Sequence, residues 1–160
     1  MTNTRGIQCS GGERRPSAWN RSLGRHGDPA KAPRSLRILV ADDERDTVLT
    51  LMMLLRDEGH EVRGVYSGRQ ALAALRDFEP DAVLLDIALP ELSGWQVARE
   101  IKKRWDDKGP LLIGISGEYR QGADRILSEI IGFDHYLLKP YEPRALLALL
   151  APLTLPDAGS

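Results

Sequence analysis

A chain of 160 residues with a formal net charge of −1 has room for one ordinary domain with a buried core. The small net charge hides an asymmetry: residues 1–35 hold seven basic residues against two acidic ones, a balance of +5, and the other 15 basic and 21 acidic residues leave −6. An acidic body argues against nucleic acid as the main partner, because neutralising phosphates needs clustered Lys and Arg. The single cysteine, Cys9, permits no intramolecular disulfide and fits a reducing compartment. No apolar run approaches the length of a membrane span, and the N-terminus lacks a secretory stretch, so the expected location is cytoplasmic, with no membrane partner.

Residues 1–35 read as a flexible basic arm. Gly, Ser, Pro, Arg and Asn dominate it, and Ile7, Trp19 and Leu23 stand too far apart to bury surface that would offset the entropy of ordering. Residues 36–154 read as the folded domain and 155–160 as a short tail. Strand and helix signatures then alternate five times. An apolar run at 36–41 precedes Val48, Leu51, Met52 and Leu55 at the spacing of one helix face, and Gly59 ends that helix. A second strand covers 62–65. Ser67 and Gln70 form a capping-box pattern before Ala71, Ala74, Leu75 and Phe78, and Pro80 closes the helix. The third strand, 82–85, has no polar residue and reads as buried on both faces. A loop with Pro90 and Gly94 leads to a helix carrying Val97, Ile101 and Trp105. The fourth strand is 111–115, the next helix carries Ala123, Ile126, Leu127 and Ile130, and the fifth strand is 136–138. The last helix carries Leu146, Leu149, Leu150 and Leu153, with Pro143 in its first turn.

Strict alternation of this kind implies right-handed crossovers and a parallel sheet with helices on both faces. For five strands the leading candidate is an α/β, doubly wound, flavodoxin-like sheet of order 2-1-3-4-5, with its ligand site beyond the carboxyl ends of strands 1 and 3. The chemistry of the strand ends agrees with that order. Asp42 and Asp43 follow strand 1, Asp86 follows strand 3, Ser116 follows strand 4 and Lys139 follows strand 5, whereas strand 2, at the edge, leads only to Tyr66.

Three carboxylates held together repel one another unless a cation is present. A hard divalent ion with oxygen ligands, Mg²⁺ above all, resolves this with one or two carboxylates, several waters and a phosphate oxygen. Asp86 is then the candidate nucleophile toward a phosphoryl group. Lys139 can pair with Asp86 at rest and with a phosphoryl oxygen afterwards, and the Ser116 hydroxyl can donate to another such oxygen and move as it does so. Each residue also has a plainer reading. Asp42 or Asp43 can cap the following helix; Ser116-Gly117 can be a turn; Lys139-Pro140 can be a surface lysine before a proline; Tyr136 can be strand packing. Their joint occurrence at the ends of four strands favours the functional reading.

The spaced set Val40-Ala41-Asp42-Asp43, residues 84–94 (Leu84-Leu85-Asp86-Ile87-Ala88-Leu89-Pro90-Glu91-Leu92-Ser93-Gly94), Ile115-Ser116-Gly117 and Tyr136-Leu137-Leu138-Lys139-Pro140 resembles the receiver domain of bacterial two-component response regulators, chemotaxis-type members included. The resemblance spans about residues 36–153. It implies that Asp86 accepts phosphoryl from a histidine kinase or histidine phosphotransfer protein. It further implies that Asp42, Asp43, Asp86 and the backbone carbonyl of Ala88 surround Mg²⁺, that Ser116 and Tyr136 are the switch pair, and that the Lys139-Pro140 bond is cis. Four positions depart from the commonest pattern. Ser116 stands for Thr, which removes a methyl that restrains the rotamer; Gly117 stands for Ala, Leu89 for Met and Tyr141 for Phe. None removes a reacting group, while Ala88 and Glu118 flank the pocket and govern access of hydrolytic water.

The sequence therefore predicts a single-domain phosphorylation-dependent signalling module, since residues 154–160 are too few for an output unit. Output would pass by protein contact through the helix at 123–130, the fifth strand and the last helix, where Tyr119, Arg120, Ile131, Tyr136 and Tyr141 lie; homodimerisation stays open. The chain is expected not to be an enzyme beyond catalysing its own phosphorylation and dephosphorylation. An aspartyl-phosphate hydrolase would need a general acid two residues after Asp86, where Ala88 stands. A scaffold that works without phosphorylation sits badly with an intact pocket. DNA binding through the basic arm lacks a recognition helix.

Overall fold

The computed structural model describes residues 33–117 and 132–155. Five strands, β1 (Arg37–Ala41), β2 (Glu61–Val65), β3 (Ala82–Asp86), β4 (Leu111–Ser116) and β5 (His135–Leu138), form one sheet in the order β2-β1-β3-β4-β5. Every pairing is parallel, with Val40 beside Leu84 and Asp86 beside Ile115. The expected doubly wound order is the observed one. β3 lies at the centre with all five residues buried, and its only polar side chain, Asp86, comes at the last position. A strand covered on both faces has no solvent side on which a polar residue could rest.

Among the described residues, the helices α1 (Arg45–Asp57), α2 (Gly68–Ala74), α3 (Gly94–Trp105) and α4 (Pro143–Thr154) cover the sheet. Because successive strand side chains point to opposite faces, two cores form. Ile38, Val40, Leu84 and Ile113 pack with Val48, Leu51, Leu55, Leu146 and Leu150 of α1 and α4 on one side. Leu39, Val83, Leu85 and Leu112 pack with Ala71, Ala74, Val97 and Ile101 of α2 and α3 on the other. Each such leucine, fully removed from water, contributes about 2 kcal/mol of transfer free energy.

Local signals set most boundaries, though α2 ends at Ala74 and does not run through Phe78 to Pro80 as expected. Gly59 adopts φ +94 after α1, as a left-handed cap requires, and its N–H donates to the Arg56 carbonyl at 2.9 Å. Pro143 opens α4. The expected capping box at α2 closes differently: Ser67 Oγ accepts from the Gln70 N–H (3.1 Å), but the Gln70 side chain accepts from the N–H of Tyr66 (2.8 Å), one residue earlier than Ser67. A complete box occurs instead at α3, where Ser93 and Gln96 satisfy each other's backbone N–H groups. Pro90 and Gly94 do mark a turn there, and Ser93 ends it. The strands begin or end one residue from the expected positions, so Asp86 and Ser116 are the last residues of β3 and β4 themselves. The helix expected around 123–130, the arm through residue 32 and the tail from 156 lie outside the described residues, as do Glu118, Tyr119, Arg120 and Ile131. Among the described residues, no helix is long and apolar enough to cross a membrane.

Candidate functional site

The site is assembled where β1, β3, β4 and β5 end. Beyond β1, the Asp42 N–H donates to the Val65 carbonyl (3.2 Å), which continues the strand pairing one residue further and leaves the Asp42 side chain buried. Its Oδ1 accepts from the Glu44 N–H at 2.9 Å, a local turn of the kind aspartates favour. Glu44 occupies the cap position of α1 and makes no side-chain cap bond. Helix capping therefore does not account for Asp42 or Asp43, and Asp43 is exposed beside the pocket.

Asp86 ends β3 and is 6% exposed. Its Oδ1 accepts from the Ala88 N–H at 3.0 Å, which turns the chain away from the sheet. The Ile87 N–H donates to the Ile115 carbonyl and the Gly94 N–H to the Ile87 carbonyl, both at 2.9 Å, so the loop returns directly to the start of α3. A Cβ at position 94 would stand 2.5 Å from the Asp86 carbonyl oxygen, closer than real side chains approach. Ser116 is buried at the end of β4, and its carbonyl accepts from the Lys139 N–H at 2.8 Å. The Lys139–Pro140 peptide that follows is cis, as expected. Lys139 Nζ reaches back over the strand ends, donating to Asp42 Oδ2 at 3.0 Å and to Asp86 Oδ2 at 3.4 Å.

Asp42, Asp43 and Asp86 each offer a carboxylate oxygen within 4.8 Å of the others. One ammonium bridges the two buried carboxylates, and the exposed third, Asp43, lies beside them. The consequences appear in proton affinity. Burial raises the Asp86 carboxyl above its ordinary range; the Ala88 N–H opposes that, the charge of Asp42 adds to it, and Lys139 pulls the other way. For Lys139, burial alone would lower the pKa, but its hydrogen bond to Asp42 and its attraction to Asp86 and Asp42 together leave it raised. It stays an ammonium throughout the neutral range. Tyr141, partly buried, has its phenol raised chiefly by burial, against the nearby charge of Lys139. Hard oxygen donors with an excess of negative charge fit a divalent cation such as Mg²⁺.

The structure thus brings Asp42, Asp43, Asp86 and Lys139 together, and places Ser116 beside Lys139 through the backbone. Tyr136 lies one strand over, paired with Gly114 of β4, with its hydroxyl oxygen buried. Ala88 is exposed, with its N–H committed to Asp86. At the edge of the sheet, just after β2, the Tyr66 ring lies under the Arg45 guanidinium, 4.5 Å from its carbon to the ring centroid. No spacing rule links those two positions.

Residues 38–151 match the family model described as the response regulator receiver domain. The chain belongs to the response regulator receiver family. This receiver domain is 36% identical over 112 residues to the DNA-binding response regulator MtrA of Mycobacterium tuberculosis, a match that covers 70% of this chain and 47% of that protein. The protein of the same description from Mycobacterium leprae is also 36% identical over 112 residues, 70% of this chain and 48% of its own. The receiver chain thus spans about half the length of the curated relatives it matches. Among solved structures, a CheY-like receiver domain protein from Methanospirillum hungatei JF-1 superposes with a TM-score of 0.69 and 28% identity, over 75% of this chain and 94% of that one. The BeF3-activated N-terminal receiver domain of Klebsiella pneumoniae RstA gives 0.66 and 27%, over 74% and 97%.

Proposed function

We propose that this receiver domain takes a phosphoryl group onto Asp86 from the phosphohistidine of a histidine kinase or phosphotransfer protein and signals through the altered protein surface. The observation that carries the proposal is the Lys139 ammonium bridging Asp42 and Asp86 at 3.0 and 3.4 Å in a pocket that also holds Asp43. A single lysine leaves this cluster net negative, which is the arrangement of a cation site rather than of a finished ion pair.

In the reaction, an Asp86 carboxylate oxygen forms a bond to phosphorus as the bond from phosphorus to the imidazole nitrogen breaks, and the electron pair leaves with the histidine. The Ala88 N–H fixes Oδ1, so Oδ2, now facing Lys139, is the oxygen presented for attack. Lys139 turns from Asp86 to a phosphoryl oxygen. The Ser116 hydroxyl donates to another, and its displacement opens room into which Tyr136 moves as the partner-facing element. Asp42, Asp43, Asp86 and the Ala88 carbonyl are the residues that would hold Mg²⁺, which supplies charge neutralisation for the incoming phosphoryl group. A downstream protein would read the face around β5 and α4. The setting is cytoplasmic, where kinases and phosphoryl donors are found.

The chain is read as a signalling module whose only catalysis is its own phosphorylation and dephosphorylation. Ala88 brings no general acid for turning over phosphate esters. DNA binding, stated for the mycobacterial relatives, belongs to proteins about twice as long as the matched stretch and is not assigned to residues 38–151.

Intact-protein mass after incubation with Mg²⁺ and acetyl phosphate tests the proposal. The expected result is one phosphoryl adduct in the wild type, none with Asp86→Asn and none after chelation. An unmodified wild type, both with acetyl phosphate and with a panel of phosphorylated histidine kinases, would overturn it.

A further inference from the structure

The loop that leaves Asp86 is gripped from two sides, and only one grip comes from the helix it enters. On the inner side, the Gly94 N–H holds the Ile87 carbonyl. On the outer side stands the start of α2, which supplies no member of the carboxylate and lysine cluster. There the Gly68 N–H donates to the Pro90 carbonyl at 3.3 Å. Gly68 itself is buried against the loop: a Cβ at position 68 would overlap the Leu92 carbonyl oxygen and stand 2.8 Å from the Leu92 carbonyl carbon. Those are backbone atoms, which cannot swing aside as a side-chain tip can. Between the two contacts, Glu91 adopts φ +70, a conformation that non-glycine residues hold only where the surroundings impose it. Its carboxylate lies 3.9 Å from Arg69 Nε, the residue after Gly68.

We infer that Gly68 is a positioning residue for the phosphoacceptor: by letting α2 seat against residues 90–92, it fixes the path of the loop and so the Ala88 N–H that orients Asp86. The inference rests on the function proposed above and adds a residue that belongs to a different helix from any member of the pocket. Its logic is steric. Gly68 is not in the left-handed region, so alanine suits its backbone, and helix propensity favours alanine over glycine. Any loss on substitution must then come from pushing the loop away. The segment that moves, residues 88–92, is too short to absorb the shift without disturbing its first N–H.

The test compares two glycines. Gly68→Ala displaces the loop; Gly59→Ala strains a positive-φ cap after α1, at the opposite end of the sheet, with open space around it. Mg²⁺ affinity of the chelator-stripped protein by titration calorimetry, thermal stability without Mg²⁺, and the acetyl phosphate reaction at saturating Mg²⁺ are measured for wild type and both variants. The expected result is about a tenfold loss of Mg²⁺ affinity and slower uptake in Gly68→Ala, the scale seen when outer groups that orient metal ligands are lost. Gly59→Ala should lower the melting temperature while leaving both readouts at wild-type values. Equal affinity in Gly68→Ala and wild type, or parallel losses in both variants, overturns the inference while leaving the proposed function standing. A wild type that neither binds Mg²⁺ nor gains phosphoryl overturns the function first. If Gly68→Ala does not fold, amide exchange in the wild type decides: Mg²⁺ should slow exchange of the Gly68 N–H and leave that of Gly59 unchanged, and an unchanged Gly68 sinks the idea.

Discussion

The two ends of one sheet use the same residue type for opposite purposes. At the amino ends of the strands, Asp81 is 7% exposed, about as buried as Asp86. Its Oδ2 accepts from the Arg37 N–H at 2.8 Å and its Oδ1 from the Arg34 guanidinium at 3.3 Å. Asp134 accepts from the Leu112 N–H at 2.8 Å, and His60 Nδ1 from the Leu36 N–H at 3.1 Å. Each acceptor ties off a backbone donor where a strand begins. Among the described residues, carboxylates gather into a cluster fit for a cation only at the carboxyl ends, where Asp42, Asp43 and Asp86 crowd together and one ammonium bridges Asp42 and Asp86. Burial of an aspartate is therefore no guide to function in this fold. The guide is whether its neighbours are donors or other carboxylates.

The carboxyl end should therefore gain most from an added cation. Mg²⁺ at about 100 times its dissociation constant should stabilise the wild type by about 2.7 kcal/mol, removable by chelation. Asp43→Asn, at an exposed position, should leave metal-free stability nearly unchanged and lose most of that gain; thermal melts with and without Mg²⁺ check both. Asp81→Ala belongs to the other end. It should cost about 2 kcal/mol in urea unfolding, because the Arg37 N–H loses its acceptor, while the Mg²⁺ increment stays at the wild-type size. A collapse of the Mg²⁺ response in Asp81→Ala would dissolve the distinction between the two ends.

The smallest effect concerns pH. Burial lowers the His60 pKa below its ordinary 6.5, against the opposing charges of Glu58 and Asp81. The folded state therefore binds fewer protons at this site than the unfolded chain does, and its contribution is complete above pH 6.5 and lost as the pH falls from there through the lowered folded value. Stability should decline over that interval in the wild type, and His60→Ala should flatten the decline while costing about 1 kcal/mol at pH 8. An identical pH slope in the two proteins would remove His60 from the account.

Much of this was legible in the chain because the signals were local or redundant. The apolar runs of β1, β3 and β4 end in Asp42, Asp86 and Ser116, so strand assignment and candidate site came from the same positions. Gly59 announced the end of α1, since few other residues take its φ. What escaped reading depends on distant partners. Asp81 meets the Arg37 N–H across 44 residues of chain, and no spacing rule connects a carboxylate to a backbone donor in another strand. Gln70 could reach either the Ser67 or the Tyr66 N–H, and the entry angle of the loop, which sequence does not carry, chose between them. Gly68 lies inside the Ser67–Gln70 capping pattern, and its contact with residues 90–92 emerges only when α2 and the loop after β3 lie side by side.

Lys139 meets Asp42 across 97 residues and arrives just after the last strand of the sheet. During synthesis, β1 and β3 leave the ribosome well before it, with two aspartates destined for burial and no ammonium to meet them. A nascent chain that stops short of β5 thus carries an uncompensated pair of charges at its centre, which disfavours premature closure of the pocket. The residue that readies the acceptor is thus the last member of the site to be made, with α4 still to follow and close the core over Leu146 and Leu150.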